Sequence, residues 1–167
     1  PLNTVSTSNA ASAQPVRTDY VFYTYEKVLM DKLLVDQMVK LPHEIYARAA
    51  VGYLETEYAG LDWEVAKPFW GGRLMVGLSG SVVKKREIGK AFSFKENDWK
   101  SSYTTAFLNT ALNIPEAEMT LDLRTGQFLA GDRGTRITLS KFFHGIILYA
   151  WYSFTDTNDV FTDSYNR

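Results

Sequence analysis

The sequence predicts an all-β chain: an antiparallel up-and-down β-barrel of the transmembrane type, or part of one, behind a flexible N-terminal leader. Three observations carry that expectation. From Tyr46 onward, apolar and polar residues alternate with period two, so that side chains two apart share one face of a sheet. Turn chemistry interrupts the alternation at short intervals. Aromatic residues make up 14% of the 167 residues, with 10 Tyr, 10 Phe and 4 Trp, which suits strands and the interfacial girdles of a membrane barrel.

Residues 1–18, PLNTVSTSNAASAQPVRT, are poor in large apolar side chains and rich in Ser, Thr, Asn and Ala, and read as the leader. The barrel domain is expected over 19–167. Within it, residues 20–40 carry two signals. YVFYTYEKV has strand composition, whereas Val28, Leu29, Leu33 and Val39 fit one stripe of a helix. The strand reading is preferred because everything downstream is strand. Strands are expected at 32–41, 45–58, 61–68, 72–85, 103–113, 117–129, 134–143 and 146–155. Leu61, Trp63 and Val65 alternate with Asp62 and Glu64. Leu74, Val76, Leu78 and Val82 alternate with Arg73, Gly77, Ser79 and Ser81. Ala117, Met119, Leu121 and Leu123 alternate with Glu118, Thr120, Asp122 and Arg124. Arg48 shares its parity with Leu54, which suggests a bulge or rim position.

Turns fix the register. A two-residue loop at His144–Gly145 pairs Phe143 with Ile146, Leu139 with Ala150 and Ile137 with Tyr152 on one face, and Ser140 with Tyr149 and Thr138 with Trp151 on the other. Gly in second place signals a type I′ turn. A two-residue loop at Trp70–Gly71 pairs Val65 with Val76, Trp63 with Leu78, Asp62 with Ser79 and Glu64 with Gly77. The one long connection, residues 85–101, is the candidate for the extracellular side.

Composition removes several classes of function. With 18 basic against 19 acidic residues, the net charge of −1 argues against nucleic acid as a partner. The absence of cysteine removes disulfides, a thiol nucleophile and thiolate metal sites. No apolar run approaches the ~20 residues of a membrane helix, which a strand-built membrane protein does not need. The chain starts at Pro1 without a signal-peptide core and ends in the polar TDTNDVFTDSYNR, so it reads as a processed or partial chain. Alternation does not say which face is inside. Strands of ten or more residues, small and polar residues on the second face, and aromatics near strand ends (Phe69, Trp70, Phe128, Phe142, Phe143) favour a wet lumen and a lipid-facing wall.

On that reading, the lumen and glycan-contact candidates are Glu55, Glu57, Asp62, Glu64, Asp122, Arg124, Arg136 and Trp151. The four acids near the turn YAG contain the raw material of a carboxylate pair or a calcium site, but their spacing selects neither. They read as a polar wall. Asp122, Arg124 and Arg136, with Asp132 and Arg133 in LAGDRGTR, read as a charge ladder or as cross-strand salt bridges. Lys84, Lys85 and Arg86 end a strand and, with Asp132 and Arg133, form the expected electrostatic rim. Trp63 falls on the lipid-facing parity and Trp151 on the inner one, where an indole can stack on a sugar ring. The two histidines, His43 and His144, fall in turns without a nucleophile elbow. No catalytic residue, metal or cofactor is expected.

Two blocks carry a family resemblance. The first is YARAAVGYLETEYAGLDWEVAKPFWGGRLMVGLSGSVVKKRE: GYLE with an acidic-aromatic-Ala-Gly turn, then DWEV, an aromatic-Pro-Phe turn and Lys-Lys-Arg at a strand end. The second is GQFLAGDRGTRITLSKFFHGIILYAWYSFTDT, with LAGDRG, the Ser-Lys-Phe-Phe-x-Gly hairpin and a strand ending in Thr-Asp. Together, over roughly residues 33–160, they resemble the YjbH-like exopolysaccharide-biosynthesis family of Gram-negative outer-membrane proteins. The resemblance implies a non-enzymatic outer-membrane barrel taking part in exopolysaccharide or capsule export. Its partners would be outer-membrane lipid, a polysaccharide, and other chains of an export assembly or chains supplying further strands. The rival readings are a general porin or structural barrel, a soluble β-barrel binding a small apolar ligand, and a carboxylate enzyme on a barrel.

Overall fold

The computed structural model describes residues 16–17, 19–24, 30–90 and 92–156. They form one eight-stranded antiparallel sheet in which every strand pairs with its neighbour in sequence: β1 Leu33–Leu41, β2 Ile45–Tyr53, β3 Tyr58–Phe69, β4 Leu74–Lys85, β5 Tyr103–Ile114, β6 Met119–Gln127, β7 Arg133–Phe143 and β8 Ile146–Thr155. Among the described residues β1 and β8 pair on one side only, so these strands form an open sheet. The sheet is curled, because Asp62 of β3 and Trp151 of β8 line one hollow. A short helix, α1 (Tyr20–Thr24), precedes it. No helix among the described residues is long and apolar enough to cross a membrane, which says nothing of strands.

The alternation decides the two faces. In β3 and β4, Asp62 pairs with Ser81 and Glu64 with Ser79 on the concave face, while Leu61 pairs with Val82 and Val65 with Leu78 on the convex one. The convex side chains stay in the open: Leu78, Leu108 and Leu148 are 55%, 49% and 59% exposed. The convex face therefore buries no apolar core. The buried apolar cluster, Val16, Tyr58, Val83 and Tyr103 with Leu54, Leu129 and Ala130 against it, sits at one end of the concave side.

The hairpin at His144–Gly145 forms as expected, with Phe143 opposite Ile146, Leu139 opposite Ala150 and Thr138 opposite Trp151. Both turn residues have positive φ, 46° and 86°, as a type I′ turn requires. The Trp70–Gly71 expectation needs correction. Phe69 pairs with Leu74, so four residues turn the chain, and Trp63 lies opposite Gly80 rather than Leu78. The slip is two residues, so every face assignment survives it. The flat glycine leaves room for the indole: a Cβ on Gly80 would meet the Trp63 ring carbons at 3.0 Å.

Other expectations shift locally. Residues 20–24 are helical, not extended: the Tyr20 and Phe22 amides donate to the Arg17 and Asp19 carbonyls. The rest of the ambiguous stretch up to residue 29 lies outside the described residues, as does the leader through residue 15. Of residues 1–18 the structure describes Val16 and Arg17, and Val16 is buried against the sheet. The second strand stops at Tyr53, and the Leu54 and Glu55 amides both donate to the Tyr58 carbonyl to close a tight loop. Arg48 sits at no bulge; pairing runs without a break from Tyr46 to Tyr53.

One rim carries the short turns 42–44, 70–73, 115–118 and 144–145. The other carries loops 54–57, 86–102 and 128–132. The long loop is itself folded: Arg86 bridges Phe94, and the Lys95 amide donates to the Lys85 carbonyl at 2.9 Å. Near this rim, glycine pairs with glycine twice, Gly52 with Gly60 and Gly126 with Gly134. At Gly126, φ is 155° and a Cβ would stand 2.0 Å from the Ala106 carbonyl oxygen. Gly126→Ala should therefore cost about 3 kcal/mol or more. Gly72→Ala, strained by its φ of 89° but facing open space, should cost about 1 kcal/mol. Equilibrium denaturant unfolding of the two variants measures that difference, and equal costs would contradict the close approach.

Candidate functional site

The concave face curves around a hollow of about 890 Å³. On β4 and β5 the concave face carries small hydroxyl and amide groups, of which Ser81 and Thr105 line the hollow. The Ser81 and Thr105 hydroxyls lie 2.8 Å apart, and Asn109 Nδ2 donates to Ser79 Oγ at 2.8 Å. Such groups exchange hydrogen bonds readily with water or a hydroxylated ligand.

One flank, from β1 to β3, is a salt-bridged ladder. Arg48 donates Nη2 to Asp36 at 2.7 Å and Nη1 to Asp62 at 2.8 Å. Each strand contributes one charge, and the three side chains share a face because the register aligns them. Sequence reasoning noticed Arg48 only as an anomaly of parity. The signal that would have found its role is the regular spacing of Asp36, Arg48 and Asp62 once β1 and β2 are paired.

The other flank, from β5 to β8, is basic and aromatic. Arg124 and Arg136 stand directly opposite each other in β6 and β7. The Arg124 guanidinium lies 3.9 Å from the Phe107 ring centroid, and that of Arg136 lies 5.0 Å from Trp151 and 5.8 Å from Phe128. Arg136 also donates Nε to Ser153 Oγ at 2.9 Å. The expected cross-strand salt bridges here are not made. Among the described residues no carboxylate reaches either arginine at ion-pair distance. Asp122 lies opposite Thr138, and Asp132 sits in the loop, where its carbonyl accepts from the Phe128 amide. Arg133, like Asp132, lines the mouth of the hollow and is exposed. Phe107 and Phe128 were not expected here; Phe107 is legible by parity from Thr105 and Asn109.

The four acids around YAG do not converge. Glu55 pairs with Arg17 at 2.8 Å and lines the hollow, as does Asp62 in the ladder, while Glu64 lies on the concave face opposite Arg48. Glu57 is taken elsewhere, into a buried cluster under the N-terminal segment. There Lys85 Nζ donates to Asp19 Oδ1 at 2.6 Å and to the Val16 carbonyl at 3.1 Å, with Glu57 at 3.9 Å. Tyr58 donates to the same Val16 carbonyl, and Tyr23 donates to the Arg86 carbonyl at 2.6 Å. Arg86 donates to the Met30 and Thr56 carbonyls, both at 2.9 Å, and packs 3.7 Å from the Tyr53 ring centroid. The expectation of a basic rim thus needs correction: Lys84 is exposed, but Lys85 and Arg86 are buried and staple the chain entry to the sheet. Among the described residues, no group of three or more histidines and acids comes together to hold a metal ion.

Residues 2–167 match the family model described as "Exopolysaccharide biosynthesis protein YbjH". The chain belongs to this YjbH family. A relative in Escherichia coli (strain K12), named "Uncharacterized lipoprotein YjbH", is 27% identical over 146 residues, covering 86% of this chain and 20% of that protein. The chain thus spans about a fifth of the length of that relative. No solved structure matches it. The match extends in both directions beyond the resembling blocks at 33–160 and takes in the docked N-terminal segment.

Burial pushes the Glu57 carboxyl up to about 7, with Asp19 adding to the effect and Lys85 opposing it. The unfolded carboxyl titrates near 4.5, so the folded state binds the proton more tightly between those values. Stability should fall as pH rises from about 4.5 to about 7, then level off. The fall should be roughly 3 kcal/mol, and Glu57→Gln should abolish it. Denaturant midpoints across that pH range measure both; an unchanged slope in the variant would remove Glu57 as its cause.

Proposed function

We propose that these strands are a segment of the wall of an outer-membrane β-barrel that takes part, without catalysis, in exopolysaccharide export or assembly. The observation that carries this reading is the inverted sheet. Its apolar face is convex and exposed, and its polar face surrounds the hollow. In water, such a face would be a large exposed apolar patch. Against lipid tails it is satisfied, and strands of 9 to 12 residues match the ~9–11 that a tilted strand needs to cross. Aromatics at the turn rim, Trp70, Phe142 and Phe143 among them, suit the interfacial girdle. A soluble barrel for a small apolar ligand fits less well, since the hollow is lined by charges and hydroxyls.

The family description supports the polysaccharide part, and the name of the E. coli relative, a lipoprotein, accords with membrane attachment. A lumen of hydroxyls, amides and separated charges lets a hydrated polymer trade water for protein groups with little net cost. Among the described residues no pair of acids is poised as proton donor and nucleophile, so the reading assigns no bond cleavage.

Because this chain has no cysteine, single cysteines report the orientation cleanly in a full-length protein otherwise free of them. Leu78→Cys and Leu148→Cys should react only with a membrane-soluble maleimide in native outer membranes. Ser81→Cys and Thr105→Cys should react with a charged, water-soluble thiosulfonate. Leu78→Arg should cost about 2–4 kcal/mol in a bilayer, whereas Ser81→Arg should cost little. Fast labelling of position 78 by the charged reagent would sink the lipid-facing assignment. Unchanged surface polysaccharide after gene deletion would sink the export role.

A further inference from the structure

We propose that Arg124 and Arg136, with Phe128 and Trp151 beside them, form a subsite for an acidic sugar residue of a polysaccharide. The two guanidinium groups would hold its carboxylate, and the aromatics would take the apolar face of its ring. The inference rests on the preceding reading that this concave face meets a glycan, and names the chemical class that one part of it selects.

The argument starts from an electrostatic conflict. Two arginines directly opposite on neighbouring antiparallel strands repel each other. The fold elsewhere resolves such charge: Arg48, on the same face, is clamped between two aspartates. Arg124 and Arg136 have no carboxylate within ion-pair distance among the described residues. They are braced by rings and by the Ser153 hydroxyl, contacts that fix their direction without neutralising them. Both open onto the hollow. A braced guanidinium pair without an ion-pair partner, on which Asp62 and Glu64 act only from across the hollow, is a receptor for an oxyanion, because each planar fork offers parallel N–H donors.

The neighbours narrow the class. Trp151 is 55% exposed and lines the same hollow as Arg136, as Phe128 does. An open indole beside a guanidinium offers an apolar plate next to an anion receptor, and a sugar ring bearing a carboxylate has that pairing of surfaces. A bare inorganic anion would leave the plate uncovered. The hydroxyl groups of Ser81, Thr105 and Ser153 along the hollow supply partners for sugar hydroxyls.

The test uses purified full-length protein in detergent micelles, with calorimetry and tryptophan fluorescence as readouts. The probes are oligogalacturonate, a size-matched malto-oligosaccharide and inorganic phosphate. Oligogalacturonate should bind at least about tenfold more tightly than the neutral oligosaccharide, with affinity falling as salt rises. R124Q/R136Q should lower that affinity by about tenfold or more and leave neutral binding unchanged. R124K/R136K, which keeps the charge and loses the forks, should fall between. Trp151→Ala should weaken oligogalacturonate but not phosphate. Equal binding of neutral and acidic oligosaccharides overturns the proposal, as does an R124Q/R136Q protein that binds oligogalacturonate normally. Phosphate that matches oligogalacturonate in affinity reduces the site to a simple anion receptor and also overturns it. Should R124Q/R136Q not fold, the selectivity of the unmodified protein decides alone. The cysteine labelling at 78 and 105 tests the membrane reading separately, so the two failures are distinguishable.

Discussion

The backbone ladder that runs from β1 to β8 without a crossover constrains everything else. Each strand hydrogen-bonds its sequence neighbour, so the identity of each face is set by parity and carried unchanged across seven pairings. The curl of the sheet then turns that parity into inside and outside. Asp62, Ser81, Thr105, Arg124, Arg136 and Trp151 come from six strands and meet around one hollow only because every register between them is even in its effect. A single one-residue slip anywhere would turn the remaining strands inside out, placing arginines on the greasy side. Register here specifies the chemistry of the site as well as the fold.

With its convex face exposed, the sheet gathers its buried apolar side chains at one end, and the N-terminal segment completes them there. Val16 joins the small buried cluster, while Asp19 meets Lys85 in full burial. Burying a lysine between two carboxylates costs desolvation that its attraction to them offsets only when geometry is good. The benefit is directional: Lys85 also donates to the Val16 carbonyl, which fixes where the segment enters. Lys95 reaches Asp19 as well, at 3.5 Å, so the long loop and the N-terminal segment share one anchor. Glu57 completes that anchor as the group whose charge is least well compensated.

How much of this was legible in the sequence follows from which forces act locally. Period two and the type I′ signal at His144–Gly145 are local, and the strand ends, pairing and faces there are as read. The Trp70 turn is two residues longer than its sequence suggests because Gly71 and Gly72 both take positive φ, which allows a longer turn than a single Gly implies. The helical turn at Tyr20–Thr24 carries no local signal that outweighs its strand composition, since it docks through Tyr23, bonded to Arg86 far along the chain. Lys85 and Arg86 were placed on a rim because charged residues at a strand end are ordinarily solvated. Only the returning segment, which no local pattern announces, explains their burial. In the site, the parity of Asp62, Arg124, Arg136 and Trp151 was readable, but their pairing was not. The ladder joins Arg48 to Asp36 and Asp62, and leaves the two arginines of β6 and β7 facing each other.

That last difference separates structural from functional charge in this sheet. Where a cation serves the sheet, as Arg48 does, its partners lie one strand away on either side and the charge is consumed. Where Asp and Arg were equally available, at Asp122 and Arg124 in β6, the partners on β7 are Thr138 and Arg136. A shift of two residues would bring Asp122 opposite Arg136 and leave every face unchanged, so parity alone does not forbid the salt-bridged register. The observed register instead sets Thr125 opposite Thr135, their hydroxyls 3.0 Å apart, and Gly126 opposite Gly134; in the shifted one Gly126 would meet Asp132 and Gly134 would meet Arg124. That register keeps the two arginines opposite each other despite their mutual repulsion, with both side chains on the hollow.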